Sequence, residues 1–147
     1  MYVADQSSWN TTITNEELIL ANTIKIKNII DEYGCITISR FGEKISHYAW
    51  LLVQHANHNI ALQKQCLSLM ILSNDVLLRD IAYLTDRIAI LQGKKQLYGT
   101  QFDPNTLSGE YSPYPIKYSK TIDKRRAKMQ LEPIAKYKEH MRKSIRK

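Results

Sequence analysis

Apolar residues recur at intervals of three and four over four long stretches of the sequence, and this spacing is that of one face of an α-helix. The stretches cover residues 15–33, 43–56, Asn59 to Leu72, and 76–92. An apolar helix face has to be buried against another element, so four such faces in one short chain predict helices packed together. We therefore expect a mainly α fold.

The predicted helices begin and end at residues typical of those positions. Thr14 and Glu17 form the S/T-x-x-E arrangement, in which a hydroxyl and a carboxylate satisfy free amides at a helix start. Asn59 is a good N-cap for the third helix. Gly34 and Gly93 follow the last apolar residues of the first and fourth helices, where glycine readily takes a left-handed conformation.

The rest of the chain has other signatures. Residues 35–41 carry β-branched side chains between two glycines and are too short for a helix, so we expect an extended connector. Prolines and glycines concentrate in residues 94–119, which predicts a loop or a short hairpin lying across the bundle. A basic helical region follows over residues 120–147, with a break near Glu132 and a new helix that has Pro133 in its first turn.

Length and composition agree with one domain. The chain has 147 residues, 44% of them hydrophobic and 24% charged, which is usual for a globular protein and argues against wholesale disorder. We expect a compact single domain over residues 1–147, with a polar N-terminal stretch over residues 1–13. Its fold class is predicted as a bundle of four to six helices with little or no sheet.

The cysteines and the N-terminus indicate a cytoplasmic protein. Cys35 and Cys66 are isolated, without C-x-x-C spacing, and no secretory leader precedes them. We interpret both as reduced thiols. No window approaches the roughly 20 apolar residues that a membrane span needs, so none is expected.

Positive charge concentrates at the C-terminus. Residues 1–119 hold 10 Lys/Arg and 11 Asp/Glu, whereas residues 120–147 hold 11 Lys/Arg and 3 Asp/Glu, which gives net charges of −1 and +8. Such a region can bind nucleic acid, phosphate or an acidic partner, or can be the solvated face of a last helix. A homodimer through exposed apolar surface of the first or third helix is a further possibility.

Polar residues gather at the end of the second predicted helix. Gln54, His55 and His58 follow an apolar run, and an imidazole can act as acid, base or metal ligand near neutral pH. No local carboxylate completes a metal-binding arrangement, so we predict no metal site. The alternative for His55 is a buried structural histidine. The roles of Asn57 and His58 stay open.

Two further groups of polar residues follow. Asp86 and Arg87 interrupt an apolar run, so one of them is expected to face inward and to be paired. The partner is either His55 or Gln54, in which case the pairing would orient an imidazole for catalysis, or the basic C-terminal region in a structural ion pair. The amides and hydroxyls of residues 96–101 could form one wall of a pocket, where Gly99 would let the backbone approach a ligand.

These groups together suggest a pocket for a small polar or anionic ligand among the second and fourth helices and the 96–101 segment. The sequence does not indicate the cofactor, and nucleotide-binding and hydrolase motifs are missing. In this hypothesis His55, Asp86 and Tyr98 are catalytic. The substrate is bound by Gln54, Arg87, Gln96 and Gln101.

Several short motifs resemble those of a bacterial family described as a domain of unknown function. They are I-I-D-E-Y-G at residues 29–34, W-L-L-V-Q-H-A at 50–56, A-Y-L-T-D-R at 82–87, Q-x-Y-G-T-Q at 96–101, and D-x-R-R followed by L-x-P-I-x-x-Y at 123–137. Where that family usually has an aspartate after His-Ala and a glycine before the distal leucine, this chain has Asn57 and Gln130. The resemblance implies no known activity, but it implies that the polar residues above form one recurring set, as a shared pocket or polar core requires.

Overall fold

The computed structural model describes residues 14–103 and 112–145. The helices are α1 (Asn15–Tyr33), α2 (Ile38–Phe41), α3 (Glu43–His55), α4 (Ile60–Ser73), α5 (Leu78–Leu91), α6 (Ile122–Lys128) and α7 (Ile134–Ile145). Two short strands, β1 (Phe102–Asp103) and β2 (Ser112–Pro113), pair antiparallel. The predicted mainly α fold with little sheet is confirmed.

Local sequence signals set the ends of the long helices. The Thr14 hydroxyl accepts a hydrogen bond from the Glu17 amide at 3.2 Å, and the Glu17 carboxylate accepts one from the Thr14 amide at 2.8 Å. The Asn59 side chain accepts from the Leu62 amide at 3.0 Å and so caps α4. These contacts confirm the predicted helix starts, because each satisfies an amide that has no partner within the helix.

The prediction of an extended connector over residues 35–41 is wrong in its second half, where α2 forms a single helical turn. The cause is a contact with a distant part of the chain. The Asp75 carbonyl accepts from the Ile38 amide at 2.9 Å, and the Asp75 carboxylate accepts from the Ser39 amide at 3.0 Å. A carboxylate that satisfies the free amides of a helix start stabilises even a short helix.

The hydrophobic core lies between α1, α3, α4 and α5. Its buried side chains are Ile26, Ile30, Val53, Ala56, Leu62, Cys66, Met70, Ile81, Leu84 and Ile88. Among the described residues, no helix is both long and apolar enough to cross a bilayer.

After α5 the chain forms a short hairpin followed by α6 and α7. The hairpin agrees with the loop or hairpin predicted for residues 94–119, of which residues 104–111 lie outside the described part. The break before α7 is also found, and the Asp123 carboxylate accepts from the Ile134 amide at 2.8 Å at the start of that helix.

Candidate functional site

Asp86 on α5 is fully buried and holds the loop of residues 96–101. One of its oxygens accepts from the amides of Leu97 and Tyr98, at 2.7 and 3.0 Å. The other accepts from the amide and the hydroxyl of Thr100, at 3.0 and 2.9 Å. Burial raises the pKa of Asp86, and these hydrogen bonds oppose that shift. The expectation that Asp86 or Arg87 faces inward is met by Asp86, which has four donor groups around it.

The two glutamines at the ends of this loop bond within the loop and to the hairpin. The Gln96 amide nitrogen donates to the carbonyls of Gln101 and Tyr114, at 2.9 and 2.8 Å, and its oxygen accepts from the Gln101 backbone amide at 2.9 Å. The Gln101 side chain donates to the Thr100 hydroxyl at 2.9 Å. Both glutamines are buried, so their amide groups hold the loop rather than face a solvent-filled pocket.

The basic C-terminal region holds the same loop from its carbonyl side. Arg125 donates to the Leu97 carbonyl at 3.0 Å, and Arg126 donates to the Tyr98 carbonyl at 2.6 Å. Arg126 is 1% exposed, and its guanidinium lies 4.8 Å from the centroid of the Tyr137 ring. The predicted alternative of an ion pair between Asp86 and the basic region is therefore wrong. The loop of residues 96–101 lies between the Asp86 carboxylate and the guanidinium groups of Arg125 and Arg126.

Gly99 lies where three isoleucines converge on the loop. Its φ is +69°, and a Cβ added there would lie 2.8 Å from Ile134 Cδ1, 3.0 Å from Ile116 Cδ1 and 3.1 Å from Ile122 Cδ1. The glycine thus permits a close approach, whereas the approach of a ligand to it stays a prediction. The approaching groups are apolar side chains of the chain itself.

The remaining side chains predicted to form the site differ in burial and in contacts. His55 is the last residue of α3 and is exposed, and no described contact joins it to Asp86. Gln54 is buried, and its Oε1 has no hydrogen-bond partner among the described residues. Burial raises the pKa of the Tyr98 hydroxyl, and the charge of Asp86 adds to that effect. Arg87 is partly buried.

The structure therefore brings Asp86, Tyr98, Gln96 and Gln101 into one hydrogen-bonded network and leaves His55 outside it. Asn57 and His58 are exposed in the turn after α3. Catalytic and ligand-binding roles for this set stay predictions.

A second polar group, which the sequence reasoning missed, lies where α3 meets α5. The His47 Nδ1 is 2.8 Å from the Asp80 Oδ2. The His47 side chain is 32% exposed, whereas that of Asp80 is 3% exposed. Burial raises the pKa of Asp80, and the hydrogen bond with His47 acts in the opposite direction. A buried carboxylate thus holds a partly exposed imidazole by one nitrogen.

Trp50 completes this group. Its ring stacks on His47 one helical turn earlier, with 4.9 Å between ring centroids and an interplanar angle of 25°. Its indole Nε1 is buried and has no hydrogen-bond partner in the described part of the chain. A buried donor of this kind usually has an acceptor, from water or from a ligand.

Asp80 and Trp50 both line a small cavity between α1, α3, α4 and α5. Its volume is about 30 Å³, which is room for roughly two water molecules. Ser46, Cys35 and Cys66 add polar atoms to a wall that is otherwise apolar. None of the residues predicted to bind or transform a substrate lines this cavity. Among the described residues, no cluster of three or more metal-binding side chains occurs.

One sequence signal could have revealed this site. Asp80 stands three residues after Leu77 and four before Leu84, so it lies on the apolar stripe of α5. A carboxylate at such a position is buried and needs a partner. That the partner is His47, 33 residues earlier, follows only from the packing of α3 against α5.

Comparison with known proteins places the chain in a family. A family model matches residues 9–145, which is nearly the whole chain. The chain belongs to the family of unknown function DUF6624. It matches no curated protein and no solved structure. Membership of DUF6624 therefore brings no activity with it, and the function has to be argued from the site.

Proposed function

We propose that this DUF6624 protein is an acid/base enzyme that acts on a small, neutral molecule with a carbonyl group. His47 is the acid/base group, Asp80 positions it, and Trp50 donates a hydrogen bond to the substrate. The observation that carries the proposal is the hydrogen bond between the partly exposed His47 and the buried Asp80.

The pairing assigns each nitrogen of the imidazole a role. A carboxylate accepts a hydrogen bond from Nδ1–H, which leaves Nε2 unprotonated in the neutral ring and able to take a proton. No described hydrogen bond involves His47 Nε2. The same arrangement of carboxylate and imidazole serves as a general base in many hydrolases.

Hydrolysis of an ester is a reaction that these groups can support. Water gives a proton to His47 Nε2 as its oxygen bonds to the carbonyl carbon, and the negative charge on the carbonyl oxygen is stabilised by the Trp50 Nε1–H. The bond between carbon and the leaving oxygen then breaks, and the imidazolium returns the proton to that oxygen.

The pocket expected around His55 has less support. Asp86 and the two glutamines of the loop already have their hydrogen bonds satisfied within the chain, so they cannot orient His55 without breaking those contacts.

The free thiols of Cys35 and Cys66 agree with a protein of the cytoplasm, as the sequence suggested.

Hydrolysis of p-nitrophenyl acetate tests the proposal. We expect His47→Gln and Asp80→Asn to reduce the rate by at least tenfold, and Trp50→Phe to reduce it while keeping the stacked ring. His55→Gln is the matched control, since it removes an exposed imidazole on the same helix, and its rate should equal that of the wild type. A wild-type rate no greater than that of the His47 variant contradicts the proposal.

A second candidate function, binding of phosphate or an acidic partner, is supported by α6. Lys124 and Lys128 are exposed one turn apart and form no ion pair with a described carboxylate. Arg125 and Arg126 contribute less, because they are bound to backbone carbonyls. A salt titration of binding to a short single-stranded oligonucleotide, with Lys124→Gln/Lys128→Gln beside the wild type, tests it: unchanged affinity in the variant contradicts this function.

A further inference from the structure

A second concave surface lies beside α1 and α3. We call it the α1–α3 groove, and its volume is about 390 Å³, within the range of small-molecule sites. Its lining has no charged residue and consists of Ile26, Ile29, Tyr33, Ile36, Phe41, Ile45, Tyr48, Ala49 and Leu52. It can therefore hold an apolar group larger than any that fits in the cavity beside Asp80.

The groove leaves large apolar side chains in contact with solvent. Ile45 is 55% exposed, Tyr48 53%, Tyr33 49% and Ile29 41%. Contiguous apolar patches of this kind on a protein surface commonly mark a binding site. Burying them against an apolar ligand removes that surface from water, which is the main source of affinity for such a ligand.

Two cationic side chains lie at the rim of the groove, each next to an aromatic ring that lines it. The Arg40 guanidinium lies 5.1 Å from the centroid of the Phe41 ring and also donates to the Tyr33 carbonyl at 2.9 Å. The Lys44 Nζ lies 5.8 Å from the centroid of the Tyr48 ring. Neither cation forms an ion pair with a carboxylate in the described part of the chain.

The nearby acidic residues do not neutralise this rim. Glu32 is hydrogen-bonded to the Tyr33 hydroxyl and raises its pKa, so that carboxylate lies at the tip of Tyr33. Glu43 acts on Asp80, whose pKa it raises, and so lies toward the other side of α3. An anionic head group therefore meets two cations, Arg40 and Lys44, that form no ion pair with a described carboxylate.

We propose that the α1–α3 groove binds the chain of a free, carboxylate-bearing amphiphile, such as a fatty acid, with its head group at Arg40 and Lys44. The uncharged groove matches the alkyl chain. The two cations, which form no ion pair with a described carboxylate, match the single negative charge of the head group. A second copy of this chain is a poorer occupant, because a twofold contact sets the same concave surface against itself and leaves a void between the copies.

The proposal does not depend on the chemistry suggested for His47, although Ile36 and Ala49 line both the groove and the cavity beside Asp80. Loss of esterase activity in the His47 variant and loss of amphiphile binding are separate measurements. The proposal for His47 and the proposal for the groove can therefore each fail without the other.

Titration calorimetry of the full chain with decanoate and dodecanoate, below their micellar concentrations, tests the groove. Each CH₂ that becomes buried strengthens binding about fourfold, so dodecanoate is expected to bind roughly 15-fold more tightly than decanoate. Ile45→Glu should weaken dodecanoate binding at least tenfold, since it places a carboxylate in the groove. Ile71→Glu is the matched control, because Ile71 is 56% exposed on α4, outside the groove, and this variant should bind as the wild type does.

The head group is tested by changing its charge and that of the rim. Lys44→Gln should weaken dodecanoate binding about two- to fivefold and leave dodecanol binding unchanged. Equal loss in both glutamate variants, no binding by the wild type, or equal affinity for dodecyltrimethylammonium and dodecanoate would overturn the proposal. So would a wild-type dimer in sedimentation that Ile45→Glu converts to monomer and dodecanoate leaves intact.

Discussion

Asp86→Asn is expected to destabilise the fold strongly, because every contact of the Asp86 carboxylate is with a donor. The asparagine keeps one acceptor oxygen and replaces the other with an NH₂ group. That NH₂ faces either the Leu97 amide, now 2.7 Å from one oxygen, or the Thr100 amide, now 3.0 Å from the other. One buried amide then loses its acceptor, at a cost of about 1–3 kcal/mol, and the remaining bonds lose their charged partner.

The total loss in the free energy of unfolding is about 3–5 kcal/mol, which for a chain of this length corresponds to roughly 10–15 °C in Tm. Urea denaturation and calorimetry measure the two quantities. Asp31→Asn is the matched control, because the Asp31 side chain is 43% exposed and pairs only at the surface, so its loss of stability is expected to be much smaller. Similar losses in the two variants would refute the reasoning. Hydrogen exchange adds a local test, since the Leu97 and Thr100 amides should lose protection.

Four further predictions concern single positions. Gly99→Ala should lose about 2–4 kcal/mol in urea denaturation, because a Cβ there meets three isoleucines at a positive φ; a loss below 1 kcal/mol would contradict this. Gln130 has a φ of +56°, so Gln130→Gly should gain up to about 1 kcal/mol, and a loss would count against the conformation. Burial raises the pKa of Cys66 to about 12, so its thiol should not react with Ellman's reagent at pH 8 until the protein unfolds; rapid labelling of the native protein in a Cys35→Ser background would refute this. Burial also raises the pKa of Asp80 above 3.8, so the stability that its neutral form contributes is full below that pH and is lost as the pH rises through the raised pKa. The stability of wild type relative to Asp80→Asn should therefore fall as the pH rises above about 4, and a rise would contradict the assignment.

The helices illustrate what could be predicted from the sequence. The Thr14 and Asn59 caps involve residues no more than three positions apart, and the apolar stripes repeat within single helices. That one of Asp86 and Arg87 faces inward could also be predicted, because the two charges interrupt an apolar run. Which of the two is fully buried could not.

The identity of each distant partner could not be predicted in this way. Asp75 caps α2 from 36 residues away, and Asp86 binds a loop that starts ten residues later, where an ion pair or His55 was expected instead. The resemblance to a family grouped these polar residues as one set, of which the structure joins Asp86, Gln96, Tyr98 and Gln101 and leaves His55 outside. It did not distinguish a pocket from a satisfied polar core. That distinction depends on whether each donor has an acceptor within reach.

The sequence by itself thus determined the long helices, because their caps and apolar spacing depend on neighbours one turn away. It did not determine the short helix α2, nor that Ile45 and Tyr48 on the apolar stripe of α3 are exposed. Only the tertiary structure decided that His47 meets Asp80 and that Asp86 is enclosed by backbone amides. Hydrogen bonds form over about 3 Å, and a linear pattern carries no information on which distant atoms come that close.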